Sequence, residues 1–195
     1  MAKRKFSLIC VKGLTVKRVI GKNPKCSSGF KKMVTLTGLN LKNVNLAGVN
    51  LAGANLAGAN LDGQDLSYAN LSYANLTGAD LTSANLTSAD LTSADLTDAN
   101  LWGARLNFAD LTSANLSNAH LIGADLAYAN LTDANLTSVE LGGADLESAN
   151  LTNANLTNAN LKDANLKDAN LSNASMIGAI TNLTGATMPD GTVHD

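Results

Sequence analysis

The chain has 195 residues, 45% of them hydrophobic but only 4% aromatic, with a formal net charge of −2 at pH 7. So few rings exclude the large-residue core of an ordinary globular enzyme, and no apolar run approaches the length that crosses a membrane. The small net charge hides a split: residues 1–32 hold ten of the 14 Lys and Arg and no acid, leaving 4 bases against 16 acids, a net of −12, on the remainder.

The first element is this basic head, residues 1–33. Two β-prone runs, Phe6–Val11 and Leu14–Ile20, flank Lys12-Gly13 and predict a hairpin. One use for it is to cap the open backbone edge of the element that follows. The other is attachment to an anionic surface, nucleic acid or membrane, because the basic side chains are interleaved with apolar ones. Nucleic acid is expected as a partner only through these residues. Lys3-Arg4-Lys5 before an apolar run suggests a secretory signal, but the run is six residues long, short of the roughly 7 to 15 required. The location is therefore read as cytoplasmic. Both cysteines, Cys10 and Cys26, lie in the head at a spacing that is no zinc pattern. A disulfide between them would stabilise the head by about 3 kcal/mol; in a reducing compartment they stay as two thiols.

The second element spans residues 34–178. Leucine stands at every fifth position from Leu36 to Leu171, 28 times in succession, and Met176 takes the next place. Two residues before each centre is Ala or another small or apolar residue, except at Gln64; the residue between is mostly Asn or Asp, and the two after the centre are mostly small and polar. A period of five fits neither the ~3.6 of a helix nor the ~2.0 of a flat strand. It fits a chain that turns a corner every five residues, burying one large and one small side chain per side. Four sides close a coil of 20 residues, and stacked coils pair as parallel strands about 4.8 Å apart. Each fully buried Leu contributes roughly 1.5 to 3 kcal/mol, so one core can form without metal or cofactor, and the strict phase argues against disorder despite the low complexity. The polar member at the inward small position, Gln64, is expected to find hydrogen bonds within its corner.

Units such as Ala54-Asn55-Leu56-Ala57-Gly58 and Ala84-Asn85-Leu86-Thr87-Ser88 resemble the A-[DN]-L-x-x motif of the pentapeptide-repeat family, here in 29 uninterrupted units over 145 residues. The resemblance implies an all-β fold, a right-handed quadrilateral parallel β-helix of about seven coils and about 35 Å, with the central Leu and the small residue inward. It supplies no catalytic residue to carry over.

No enzyme signature stands in the chain: there is no glycine-rich phosphate loop after a strand, no nucleophile elbow, and no His near a Cys in sequence. The regular carboxylates occupy outward positions where nothing excludes water or raises a pKa. Neither catalysis nor a cofactor or metal is expected.

Departures from the repeat are therefore the informative positions. Residues 20 apart share a column, so Trp102 neighbours Ile122 and His120 neighbours Glu140 on one side; on the next side Arg105 neighbours Asp125 and Phe108 neighbours Tyr128, with Tyr68 two rungs before Phe108. Trp102, Arg105, Phe108, His120, Ile122, Tyr128 and Glu140 thus converge on two adjoining sides and about three coils. Trp and Arg among small neutral residues suit a protein-binding hot spot. The alternative is drift at tolerant positions, with Phe108 and Tyr128 merely stacked and Arg105 paired with Asp125.

Two function classes follow. One is a non-enzymatic interaction or scaffold module, regulatory in character, presenting this surface to a protein partner. The other comes from the resemblance: some members of the family imitate duplex DNA to inhibit or protect type II topoisomerases such as DNA gyrase. Against it, the 16 acidic residues spread over four sides, whereas DNA concentrates one charge per ~1.7 Å, and no C-terminal helical segment for dimerisation is apparent.

The last element, residues 179–195, loses the phase and ends Met188-Pro189-Asp190-Gly191-Thr192-Val193-His194-Asp195, a tail that resembles those of cyanobacterial members; the periplasm or thylakoid lumen is the alternative to a cytoplasmic location. Proline cannot donate to a ladder, so this segment is expected to close the last coil; without either cap, end-to-end association of two copies is expected.

Overall fold

The structure is a computed structural model that describes residues 45–179, 188 and 192, together with the backbone of 6–12, 15–21 and 31–32. The expected hairpin is present: β1 (Phe6–Lys12) pairs antiparallel with β2 (Thr15–Gly21), Leu8 opposite Val19. A third, two-residue strand that the sequence pattern did not suggest, β3 (Lys31–Lys32), adds to the other edge of β1 with Lys32 opposite Cys10. Cys26 and the side chain of Cys10 lie outside the described residues, as do the junctions of head and tail with the repeat.

From Asn45 onward one local motif repeats without a break. In the unit around Leu51, the Ala54 N–H donates back to the Leu51 carbonyl at 2.9 Å, and Gly53, third in that turn, has φ +64°. Such a closure with a left-handed third residue is the type II turn. The third residue of every described unit, from Gly48 to Gly178, has positive φ: nine are Gly and 18 are not. None of the 18 is β-branched, because a branched Cβ fits that region worst. Threonine instead fills the preceding position, as at Thr92, Thr112 and Thr132.

The outward Asn or Asp before each Leu has a local reason too. Asn50 Oδ1 accepts the N–H of Ala52 at 3.0 Å, an Asx turn that satisfies a donor the corner would leave open. The amide nitrogen is then free to bind the neighbouring coil: Asn135 Nδ2 donates to Asn115 Oδ1 at 3.0 Å, and Asn100 Nδ2 to Thr82 Oγ1 at 2.8 Å.

Coils stack through backbone bonds of fixed offset. Leu51 N–H donates to the Asn70 carbonyl, and Asn70 N–H to the Val49 carbonyl, at 2.7 and 2.9 Å; parallel bridges join residues 20 apart from Asn50–Asn70 to Asn155–Ser175. The result is a right-handed quadrilateral parallel β-helix. Its centre is filled by leucine columns, and Leu56, Leu76, Leu96, Leu116, Leu136 and Leu156 are all buried as one column, with the alanines two residues before them. Gln64 is the one buried polar residue among those described, its backbone N–H and carbonyl both hydrogen-bonded. Below, the side centred on Leu56 is called the first, and those on Leu61, Leu66 and Leu71 the second, third and fourth.

Candidate interaction surface

The outward departures from the repeat are brought together by this stacking. On the second side, parallel bridges join Asn100 to His120 and His120 to Glu140. Trp102 and Ile122 stand one rung apart beside them, 55% and 43% exposed. With Thr82, Asn100 and His120 they line a shallow depression of about 480 Å³. Thr82 and Asn100, joined by the 2.8 Å bond, look ordinary in sequence; only the coil register places them under the indole.

On the third side, Phe108 and Tyr128 stack with ring centroids 5.1 Å apart and planes 5° from parallel. Both hold left-handed φ of 61°, a conformation rare for bulky residues. Tyr68 lies in the same column, and Tyr73 occupies the matching position on the fourth side; at 71% and 70% they are among the most exposed large side chains described. Tyr73 escaped the sequence reading, although the doubled Ser-Tyr-Ala-Asn at 67–70 and 72–75 was its signal.

The pairing of Arg105 with Asp125 that the drift alternative entails is not found: the two residues bridge through their backbones, but no ion pair joins their side chains among the described residues. Asp65, two rungs from Arg105, has its carboxyl held below its ordinary value, chiefly by the hydroxyl and N–H of Ser67, then by Asn85, with the Arg105 charge contributing least. Glu140 accepts from Asn160 Nδ2 at 2.8 Å.

Arg105, His120 and Glu140 share a further property. All 23 Asn and Asp at the outward position before the Leu among the described residues accept the N–H two residues on. The four other described residues there are Arg105, His120, Glu140 and Ser175. The Arg105 guanidinium has no acceptor to close this turn and the His120 ring does not close it; at Glu140 the carboxylate accepts from Asn160 instead. Three of the four departures thus lie in one patch, each forgoing a bond worth about 1 kcal/mol. No three His, Cys, Asp or Glu among the described residues are grouped to hold a metal ion, and no described helix is long and apolar enough to span a membrane.

Comparison with known proteins agrees with this architecture. The family described as Pentapeptide repeats matches in eight copies over residues 34–63, 65–103, 89–126, 104–143, 114–153 and 149–190. A pentapeptide repeat protein of the Arabidopsis thaliana thylakoid lumen is 36% identical over 52% of this chain and 71% of its own, with a TM-score of 0.51. A trypsin-treated variant of QnrB1, a plasmid-mediated fluoroquinolone resistance protein, is 19% identical over 80% of this chain and 77% of its own, with a TM-score of 0.72, a likeness of fold alone. HetL of Nostoc sp. strain PCC 7120, a pentapeptide repeat protein involved in heterocyst differentiation regulation, is 34% identical over 82% of this chain and 87% of its own, with a TM-score of 0.28. No curated protein sequence matches.

Proposed function

Because the chain belongs to the pentapeptide-repeat family, we propose that it is a non-enzymatic, regulatory interaction module whose rigid rod presents Trp102, Arg105, Phe108, His120, Ile122, Tyr128 and Glu140 to a protein partner. The observation that carries this reading is the loss of the Asx turn at Arg105, His120 and Glu140. Drift would scatter such losses along the described units. Here three coincide with the exposed indole, the stacked rings and the depression, where large and charged side chains give most of the contact energy once a partner excludes water.

A DNA mimic needs charge on one surface, and the rod offers little. The most acidic side, the third, carries Asp65, Asp125, Asp145, Glu147 and Asp168 along about 32 Å, where a duplex would carry about 19 phosphates. Arg105 and Lys167 interrupt that side further, and Lys167 lies 4.0 Å from Glu147 and 3.8 Å from Asp168.

The test is an affinity pull-down with the native chain and a Trp102→Ala, Arg105→Ala, Phe108→Ala variant, followed by direct titration of any protein retained. Selective retention by the native chain, with at least tenfold weaker binding of the variant, is expected. Equal retention by both removes the assignment of this surface.

A further inference from the structure

The third-side column that contains the stacked rings has a gap of one ring. Tyr68 N–H donates to the Thr87 carbonyl, Ser88 N–H to the Asn107 carbonyl and Phe108 N–H to the Ala127 carbonyl, at 3.0, 3.0 and 3.1 Å. Tyr68, Ser88, Phe108 and Tyr128 therefore occupy four consecutive rungs at the same place in the turn, with φ of 57°, 55°, 61° and 61°. Rings fill the first, third and fourth; the second has only a half-buried serine.

We infer that the space over Ser88, between Tyr68 and Phe108, is a slot for one flat aromatic side chain of a partner protein. The repeat supplies the dimension. Rungs two apart are about 9.6 Å apart, so a ring seated over Ser88 lies about 4.8 Å from each neighbour, within the ~4.5 to 7 Å range of stacked aromatic pairs. Phe108 and Tyr128 demonstrate that spacing in the same column, at 5.1 Å and 5°. Their faces cover each other, leaving 57% and 53% exposed, whereas Tyr68, with an empty rung beside it, remains 71% exposed. The incoming ring completes a four-ring ladder.

Charge favours a protein side chain over a nucleobase. Residues 45–179 carry 14 Asp and Glu against Arg105, Lys162 and Lys167, a net of −11, and the column beside the slot runs Asp65, Asn85, Arg105, Asp125, so that its one cation stands among acids. A phosphate backbone is repelled there. A Tyr, Trp or Phe flanked by Lys or Arg is attracted.

The slot deepens the protein-interaction reading and rests on it, but its test does not use Trp102. The full chain is titrated with N-acetyl-tryptophanamide, and the Tyr68 and Phe108 ring signals and the Ser88 signals are followed by NMR. Saturable upfield shifts at these three residues are expected. They vanish in Ser88→Phe, whose own ring fills the rung; Phe108 already shows that Phe adopts this backbone conformation, and the variant melts at a higher temperature. Tyr68→Ala, which removes one wall and leaves the stacked pair intact, weakens the titration at least tenfold. The slot is rejected if no saturable shift appears at Tyr68 and Phe108, or if Ser88→Phe retains it. Adenosine monophosphate moving the same signals at lower concentration than the tryptophan amide overturns the choice of a protein side chain. An intact titration beside a pull-down indifferent to Trp102→Ala and Arg105→Ala, with both slot walls Tyr68 and Phe108 kept, rejects the larger surface while leaving the slot.

Discussion

Where asparagine stands before a leucine it can do two jobs, and changes at that position separate stability from recognition. Its oxygen closes the Asx turn and its nitrogen reaches the next coil, as when Asn130 accepts from the Thr132 N–H at 3.2 Å and donates to Thr112 Oγ1 at 2.8 Å. Arg105, His120 and Glu140 forgo the first of these. Substituting Asn at the three positions is expected to stabilise the rod by about 0.5 to 1 kcal/mol each, read as a rise in melting temperature by circular dichroism. The same variant is expected to lose the partner that the native chain retains. A melting temperature that falls would show that these side chains hold the coils together, and the case for a binding surface would weaken with it.

The turn, as the element that repeats, divides its two small positions by backbone conformation. Thr92 and Ser93 make the comparison cleanly, since Thr92 makes no side-chain hydrogen bond and Ser93 sits at φ +54°. Thr92→Val is expected to be nearly neutral. Ser93→Val forces a branched Cβ into the left-handed region and is expected to cost about 1 to 2 kcal/mol, which denaturant unfolding of both variants measures. The turn also contributes a pH term at Asp65, where Ser67 Oγ and N–H donate to Oδ1 at 2.6 and 3.0 Å and hold the carboxyl below its ordinary value. A depressed acid stabilises the fold above its unfolded pKa, and that contribution disappears as pH falls through the lower folded value. Asp65→Asn should therefore flatten the acid limb of a stability-against-pH curve while leaving neutral pH little changed; an unchanged acid limb would assign the acid sensitivity to other carboxylates.

The rod as a whole is a stack in which each coil touches only its neighbours, so the middle is redundant and the ends are not. A coil without a neighbour exposes unpaired backbone groups and leucine side chains. At the C-terminal end, Leu171 and Met176 are only partly buried, and Met188 packs against the same core cluster. Removing residues 1–33 and 180–195 is expected to promote end-to-end association relative to the full chain, read in concentration-dependent light scattering. A truncated rod that remains monomeric would count against capping and favour a binding role for the basic head.

The five-residue phase of leucine was enough to read the coil, its inward columns and which departures share a side, because a strict repeat makes residue number a spatial coordinate: Leu96 had nowhere to go but above Leu76. The aromatic neighbours Phe108 and Tyr128 followed from the same arithmetic. What the one-dimensional pattern could not carry was the use each side chain makes of its surroundings. Arg105 and Asp125 share a column and the sequence leaves their pairing open as one reading, but the structure joins them only through the backbone, because register sets the rung and not the direction of a side chain. Asn was legible as a preference, but its division into an Asx oxygen and a ladder nitrogen appears only when the neighbouring coil is in place. The depression under Trp102 likewise needs Thr82 and Asn100, ordinary repeat residues until stacking sets them beside the indole. Periodicity determined position; contact across coils, which depends on side-chain length and direction, was decided by the tertiary structure alone.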